Sequence, residues 1–359
     1  MNTTDVRVRR AIAAVQTGRP VVLIDDGEPD GEGYVVFAAD AATPELLAFT
    51  VRHTSGYVRV ALPPMECARL NLPPMCHGDP VGSRAAGHRV AVDTGGTGTG
   101  ISATDRARTI AALASAGSRP EHFRRPGHVI PVQAEADGVL ARQGSAEAAL
   151  DLARLAGRRY AAGLCEIVSC DRPLAIARGA ESVQFALEHG LACVSVTELV
   201  EYRRRSERQV IRLAETILPT RGGSHRVIGF RDARGGGEHL VVIIGAVGSG
   251  QPAPLHVHVE CLTGDVFGSG ACRCGGELRD AMSAMTAAGS GVIVYLRPTG
   301  PMHACGLAAP DAEPAPGLPS NTLAWILRDL GVYSVRLADD APGFGLVMFG
   351  AIREKPVAA

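Results

Sequence analysis

The chain has 359 residues, long for one hydrophobic core and comfortable for two domains of ordinary size. Hydrophobic residues at 46% and charged residues at 20% exclude a disordered or fibrous chain. A formal net charge of -1 provides no global field for nucleic acid or an acidic membrane, and neither partner is expected. Basic clusters such as Arg203-Arg204-Arg205 read as solvated helix ends. Met1 to Pro20 lacks the uninterrupted apolar core of a signal peptide, and the longest apolar stretch, Leu240 to Val247, is too short to span a bilayer. Nine cysteines without a small-scaffold spacing suit reduced thiols in a cytoplasmic protein.

Val21 to Ile24 is a β-branched run stopped by Asp25-Asp26-Gly27, a buried strand entering a loop. Ser102 followed by Asp105 and apolar periodicity through Ala114 predicts a capped helix. Ala146 to Ala156 has helical spacing with Gly157 as its C-cap, and Ser182 to His189 before Gly190 repeats the pattern. Cys165 to Val168 and Ala192 to Val196 read as strands, so the first part is an α/β or α+β domain. A charged helical stretch, Glu198 to Glu215, ends at Pro219 and carries the domain boundary. Beyond it, Leu240 to Ile244, Leu255 to Val259 and Val292 to Leu296 read as strands. Glu277 to Ala288 and Ser320 to Leu330, which stops at Gly331, read as helices. Pro298 to Pro319 contains six prolines, which exclude a regular element of useful length there.

The sharpest motif is Cys261-x10-Cys272-x-Cys274. Three thiolates at this spacing in a Gly-rich loop suit tetrahedral zinc, with a fourth position left for water. Whether Cys305 joins them is left open by the spacing. The blander reading is three core cysteines or a closed structural site. The run Glu260-Cys261-Leu262-Thr263-Gly264-Asp265-Val266-Phe267-Gly268-Ser269, ending in Cys272-Arg273-Cys274-Gly275, resembles the zinc loop of GTP cyclohydrolase II. In that family a zinc-bound water opens the imidazole ring of GTP and releases formate, while an arginine nucleophile and an aspartate handle pyrophosphate loss.

This chain departs from the family where the nucleotide is gripped. His256 and Ala271 stand where the family has arginines, and Glu277 where it has glutamine. Tyr295-Leu296-Arg297 runs into Pro298-Thr299-Gly300-Pro301 in place of Gln-Glu-Gly-Arg. Ala338-Asp339-Asp340-Ala341-Pro342 replaces the Thr-Asn-Asn-Pro stretch. A triphosphate needs fixed cations, so the resemblance implies a zinc domain without ordinary GTP turnover.

The N-terminal half resembles 3,4-dihydroxy-2-butanone 4-phosphate synthase. The matching stretches are Val51-Arg52-His53-Thr54-Ser55-Gly56, Gly100-Ile101-Ser102-Ala103-Thr104-Asp105-Arg106-Ala107, Arg125-Pro126-Gly127-His128 and Cys165-Glu166-Ile167-Val168. The resemblance covers nearly the whole chain in the order of the bifunctional riboflavin-pathway fusion. It implies a synthase-like domain over 1–205 and a shortened zinc domain over 206–359. The family converts ribulose 5-phosphate into formate and a four-carbon phosphate through a metal-bound enediol.

On that resemblance His128, Glu166 and Glu32 are catalytic candidates, set against a turn histidine and a salt-bridge glutamate. Arg142, Cys67, Asp30, Ser145 and Thr99 are substrate-binding candidates. The acidic loop is altered to Glu28-Pro29-Asp30-Gly31-Glu32-Gly33-Tyr34. Pro29 and Tyr34 replace a substrate-binding arginine and aspartate, Asp30 a metal-ligating glutamate, and Ser145 a metal-ligating histidine. Magnesium or manganese would bind through waters, Asp30 and Glu32. Three functions follow: a divergent enzyme acting on a small phosphorylated substrate, a non-catalytic assembly or regulatory partner, and the unaltered bifunctional enzyme. The resemblance also implies a homodimer.

Overall fold

A computed structural model describes residues 3–27, 31–76, 87–96, 98–172, 174–220, 222–247, 252–297, 302–305, 320–332 and 335–337. Asp30, Asp339 and Asp340, and all of the proline-rich run except 302–305, lie outside the described residues. The chain divides into two units, Met1–Arg203 and Arg204–Ala359.

In the first unit the order is α1 (Thr3–Gln16), β1 (Val21–Asp25), β2 (Glu32–Ala38), α2 (Pro44–His53), β3 (Arg59–Leu62), α3 (Pro64–Arg69), β4 (Val92–Thr94), α4 (Ala103–Ala114), β5 (Phe123–Gln133), α5 (Ser145–Leu155), β6 (Ala162–Glu166), α6 (Gly179–Glu188), β7 (Ala192–Ser195) and α7 (Val196–Ser206). The strands form one mixed sheet in the order β4-β5-β3-β6-β2-β1-β7. Successive strand residues point to opposite faces, and both faces are covered. Leu23, Val36, Ala61 and Leu164 pack under α1, α5 and α7, against Val8, Leu150, Leu152 and Leu199. Their neighbours Val22, Val35, Val60 and Cys165 face the other way, onto Leu47, Ile110, Leu113 and Phe185 of α2, α4 and α6.

Local signals set the helix ends. Ser102 Oγ accepts from Asp105 N at 3.0 Å and starts α4. Gly157 and Gly190 take φ +68° and +61°, the left-handed conformation that ends a helix. Two expectations fail nearby. Arg203 is not solvated: it is 2% exposed and donates to Asp151 Oδ2 at 2.8 Å, with Asp151 fully buried. The charged helix does not run to Glu215 either. It stops at Ser206, and the chain re-enters as an eleven-residue strand.

The second unit holds β8 (Val210–Thr220), β9 (Gly223–Asp232), β10 (Glu238–Ile244), β11 (Ala253–Val259), α8 (Leu262–Asp265), α9 (Cys274–Ala288), β12 (Gly291–Leu296), α10 (Ser320–Asp329) and β13 (Val335–Leu337). Its sheet order is β13-β11-β12-β10-β9-β8. Strand β8 was hidden by a bulge: Arg212 pairs with Phe230 and Ala214 with Gly229, leaving Leu213 as an extra residue. One extra residue inverts the alternation, so the apolar spacing imitates a helix. Ile228, Phe230, Val241, Val292 and Val294 form the core with Leu323, Ile326 and Leu327 of α10. Strands β11 and β12 are parallel, with α8 and α9 crossing between them, and the cysteine loop lies in that crossover. Among the described residues no helix is long and apolar enough to cross a membrane.

Candidate functional site

Three adjacent strands gather the first set of residues. Arg59 on β3 lies opposite Ile130 of parallel β5 and opposite Leu164 of antiparallel β6. His128 precedes Ile130 by two and Glu166 follows Leu164 by two, so both share the face of Arg59 and extend past the same end of β3. Two strand spacings separate β5 from β6, about 10 Å. The face continues across β2 and β1, where Tyr34 lies opposite Glu166 and Asp25 opposite Glu32.

His128 is held from β4. A Cβ at Gly127 would lie 2.0 Å from the Val92 carbonyl carbon, so only glycine lets the two strands approach there. That approach, with the register shift between Val92 and Asp93, brings the Asp93 carboxylate to the next residue. Asp93 Oδ1 accepts from His128 N at 2.9 Å, and Oδ2 lies 2.7 Å from Nδ1. An ionised Asp93 makes Nδ1 the donor and leaves Nε2 to exchange a proton. The imidazole is 37% exposed and Asp93 10%. Gly100, at φ +84°, closes over the pair: a Cβ there would sit 2.1 Å from Asp93 Oδ2 and 2.8 Å from His128 Nδ1.

Glu166 is ion-paired with Arg59, and Ser55 Oγ donates to its Oε2 at 3.2 Å. The Arg59 guanidinium also lies 5.5 Å over the Tyr34 ring. The Tyr34 hydroxyl donates to Glu32 Oε2 at 2.9 Å and lies near the Ser145 side chain. Burial, reinforced by the Glu32 charge, pushes the Tyr34 phenol up to about 12. Glu32 Oε1 lies 3.6 Å from the Arg178 guanidinium. Ser145 N, at the start of α5, donates to Asp25 Oδ2 at 3.1 Å, a carboxylate at a helix N-terminus.

Other candidates are placed differently. Arg142, half-exposed, donates from Nε to buried Glu147 Oε1 at 2.9 Å, and that same oxygen accepts from Glu135 N at 3.0 Å. Thr99 is exposed in the loop before α4. Cys67 is not gathered with the others. It is 2% exposed in the core of the opposite face, and burial pushes its thiol up to about 11. Sequence reasoning missed Arg59, Asp93 and Gly100. Tyr34, read as replacing a family aspartate, donates its hydroxyl to Glu32.

The second unit carries a group of four thiols that could hold a metal ion. The sulfurs of Cys261, Cys272, Cys274 and Cys305 all lie within 4.8 Å of one another. Asp265 organises the loop from beneath: it accepts from Cys261 N at 2.8 Å and from the Tyr295 hydroxyl at 2.8 Å, and both its oxygens lie 3.0 Å from His258 Nε2. Gly264 and Gly275 permit close packing, since a Cβ on Gly264 would lie 3.0 Å from Cys272 Sγ and one on Gly275 2.1 Å from the Gly264 carbonyl oxygen. Burial opposes ionisation of Cys261, but hydrogen bonds from Thr263 and from the N–H groups of Cys305 and Gly264 outweigh it and lower this thiol to about 6. Four soft sulfur donors are the chemistry of a thiophilic cation.

Comparison with known proteins covers both units. The family model of 3,4-dihydroxy-2-butanone 4-phosphate synthase matches residues 9–202, and that of GTP cyclohydrolase II matches residues 211–308. The chain is 42% identical over 381 residues to the riboflavin biosynthesis protein RibBA of Salinispora arenicola, covering 99% of this chain and 90% of that one. It is 41% identical over 367 residues to the protein of the same name from Nocardia farcinica, covering 95% and 88%. Among solved structures it is similar to RibBX, a two-domain 3,4-dihydroxy-2-butanone 4-phosphate synthase from A. baumannii, at 29% identity and a TM-score of 0.69. That match covers 98% of this chain and 99% of the other. A 3,4-dihydroxy-2-butanone 4-phosphate synthase solved with two magnesium ions matches at 37% identity and a TM-score of 0.52, over 56% of this chain and 97% of the other.

Proposed function

The chain belongs to the 3,4-dihydroxy-2-butanone 4-phosphate synthase family, fused to a GTP cyclohydrolase II domain, and on that premise we propose that it is a divergent member. In this reading the N-terminal site converts a ribulose 5-phosphate-like sugar phosphate by acid/base chemistry, and the C-terminal domain binds zinc without turning over GTP. The observation that carries the first half is the joint placement of His128, backed by Asp93, and Glu166, backed by Arg59, at one end of three neighbouring strands.

Forming and collapsing an enediol requires a proton to leave one carbon and return to its neighbour. The group that does this must both accept and donate. His128 does so through Nε2, because Asp93 holds Nδ1. Glu166, ion-paired with the Arg59 guanidinium, is the second base. Arg142 offers a half-exposed guanidinium to the phosphate, and Thr99 is an exposed hydroxyl in the loop before α4. Glu32 and Ser145 line the site through Tyr34.

The magnesium of the related structure finds little to hold it among the described residues. Glu32 and Asp25 are the carboxylates at that place; Glu32 is engaged by Tyr34 and Arg178, and Asp25 accepts from Ser145 N at 3.1 Å. These residues alone do not make a site for a hard divalent cation, and Asp30 lies outside the described residues. The proton transfers above run through protein groups.

The absence of cyclohydrolase turnover is supported by His256, Ala271 and Glu277 at positions where the family resemblance implies arginine, arginine and glutamine. Arg297 is also drawn to Glu260, with Nε 2.8 Å from Oε1. A cytoplasmic homodimer belongs to the same proposal and rests on the resemblance. The test is formate release by the purified full chain from ribulose 5-phosphate and, separately, from GTP. Turnover of the sugar phosphate that falls about 100-fold or more in His128→Gln and Glu166→Gln, with none from GTP, supports the reading. Variants equal to the unmodified chain sink it, and robust GTP opening restores the full bifunctional enzyme.

A further inference from the structure

The four thiols are arranged as the corners of a coordination polyhedron. A tetrahedral zinc ion with Zn–S bonds of about 2.3 Å has sulfur–sulfur edges of about 3.8 Å. Cys261 Sγ to Cys272 Sγ is 3.8 Å and Cys274 Sγ to Cys305 Sγ is 3.8 Å, two opposite edges of such a figure. The remaining separations stay within 4.8 Å.

Cys305 comes from a different segment from the other three, and that segment is tied to the loop it approaches. Leu262 N donates to His303 O at 2.9 Å, Thr263 Oγ1 donates to Cys305 O at 2.9 Å, and His303 Nδ1 lies 2.9 Å from Glu260 O. These contacts alternate along the two segments and fix where the Cys305 side chain leaves the backbone. The first loop is set independently, by Asp265 beneath Cys261 N and by Ser269 N donating to Thr263 O at 2.9 Å. Two pre-set segments thus converge on one point, as expected of a metal site and not of a chance cluster of thiols.

We infer that Cys305 is the fourth ligand of a closed four-thiolate zinc site, an inference that rests on zinc binding by the C-terminal domain as proposed above. Four thiolates fill the tetrahedron and leave no position for a water to become a hydroxide source. They also give the centre a net charge of about -2, since four thiolates surround one divalent cation, which opposes the approach of a triphosphate. The residue change that closes the sphere therefore converts a hydrolytic centre into a structural one. Zinc then acts by fastening the crossover between β11 and β12 to the segment after β12.

Zinc content and the zinc X-ray absorption fine structure of the full chain, with and without Cys305→Ser, test this. The expected result is one zinc bound by four sulfurs at about 2.3 Å, and three sulfurs plus a lighter atom at about 2.0 Å in Cys305→Ser. Zinc transfer from the variant to a chromogenic chelator is expected to be about tenfold faster or more. Bound zinc with three sulfurs and one light ligand in the unmodified chain overturns the inference and leaves zinc binding intact. A chain purified and reconstituted without stoichiometric zinc overturns zinc binding itself. Should Cys305→Ser fail to fold, the sulfur count of the unmodified chain still decides.

Discussion

Asp93 holds His128 at two points, the backbone N–H at 2.9 Å and ring Nδ1 at 2.7 Å, so one carboxylate fixes both the strand position and the tautomer of the imidazole. Asp93→Asn keeps the shape but offers an amide where an acceptor is needed. We expect kcat for formate release from ribulose 5-phosphate to fall about 100-fold or more while KM changes little. An unchanged kcat removes the pair from the chemistry.

Gly100 permits the same arrangement without touching a proton. At φ +84°, with Asp93 Oδ2 2.1 Å from where a Cβ would lie, Gly100→Ala must displace the carboxylate or the loop. The expected outcome is an activity loss like that of Asp93→Asn, with a stability cost of about 1–3 kcal/mol. Imidazole nitrogen NMR reads the displaced hydrogen bond directly, and an Nδ1–H signal unchanged from the unmodified chain contradicts the packing described.

Tyr34 sets an alkaline limit. Its phenol ionises at about 12 in the folded chain, against an ordinary value of 10. The folded state therefore prefers the protonated form; the stabilisation is complete below pH 10 or so and is lost as pH rises through about 12. That difference corresponds to about 2–3 kcal/mol. Spectrophotometric titration at the phenolate band checks it, with Tyr34→Phe removing one late-ionising phenol. Tyr160, also pushed up to about 12 by burial, remains in the variant, so the difference spectrum isolates Tyr34.

Arg203 and Asp151 form a buried ion pair, 2% and 0% exposed, with Val139 N donating to the same Asp151 oxygen at 2.9 Å. Arg203→Met leaves the buried carboxylate with only the more distant Arg154, 3.6 Å away, as a counter-charge. We expect a loss of about 3–5 kcal/mol, a drop in Tm on the order of 10 °C. Adding Asp151→Asn should recover part of it. Calorimetry distinguishes the cases, and a double variant as unstable as the sum of the two single changes refutes the coupling.

Removing zinc should act on one unit. With a strong chelator we expect the thermal transition of Arg204–Ala359 to fall and that of Met1–Arg203 to stay, with sugar-phosphate turnover retained. Loss of both transitions together contradicts the assignment of the metal to the second unit.

Local features were readable from sequence. The Ser102–Asp105 cap needs only three residues of chain, and the left-handed glycines at 157, 190 and 331 follow helical runs directly. The motifs around His128, Glu166 and the cysteines carried the family. What supports those residues was not readable, because Asp93 lies 35 residues from His128 and Arg59 107 from Glu166, and sheet pairing alone joins them. Cys305 was ambiguous for the same reason: it stands 31 residues from Cys274, inside a proline-rich run that says nothing of where it folds. Strand β8 was misread because its extra residue disguises the period.

The shared face of β5, β3 and β6 also bears on how the chain reaches this state. If β3 slipped by one position against its neighbours, Arg59 would turn toward the apolar layer of Leu47, Ile110 and Leu113, its charge stranded from Glu166. Such a mispaired sheet would bury a cation in hydrocarbon and strip an anion of its counter-ion, penalties far larger than any hydrogen bond regained. The ion pair between Arg59 and Glu166 thus penalises wrong alignments of the sheet during folding.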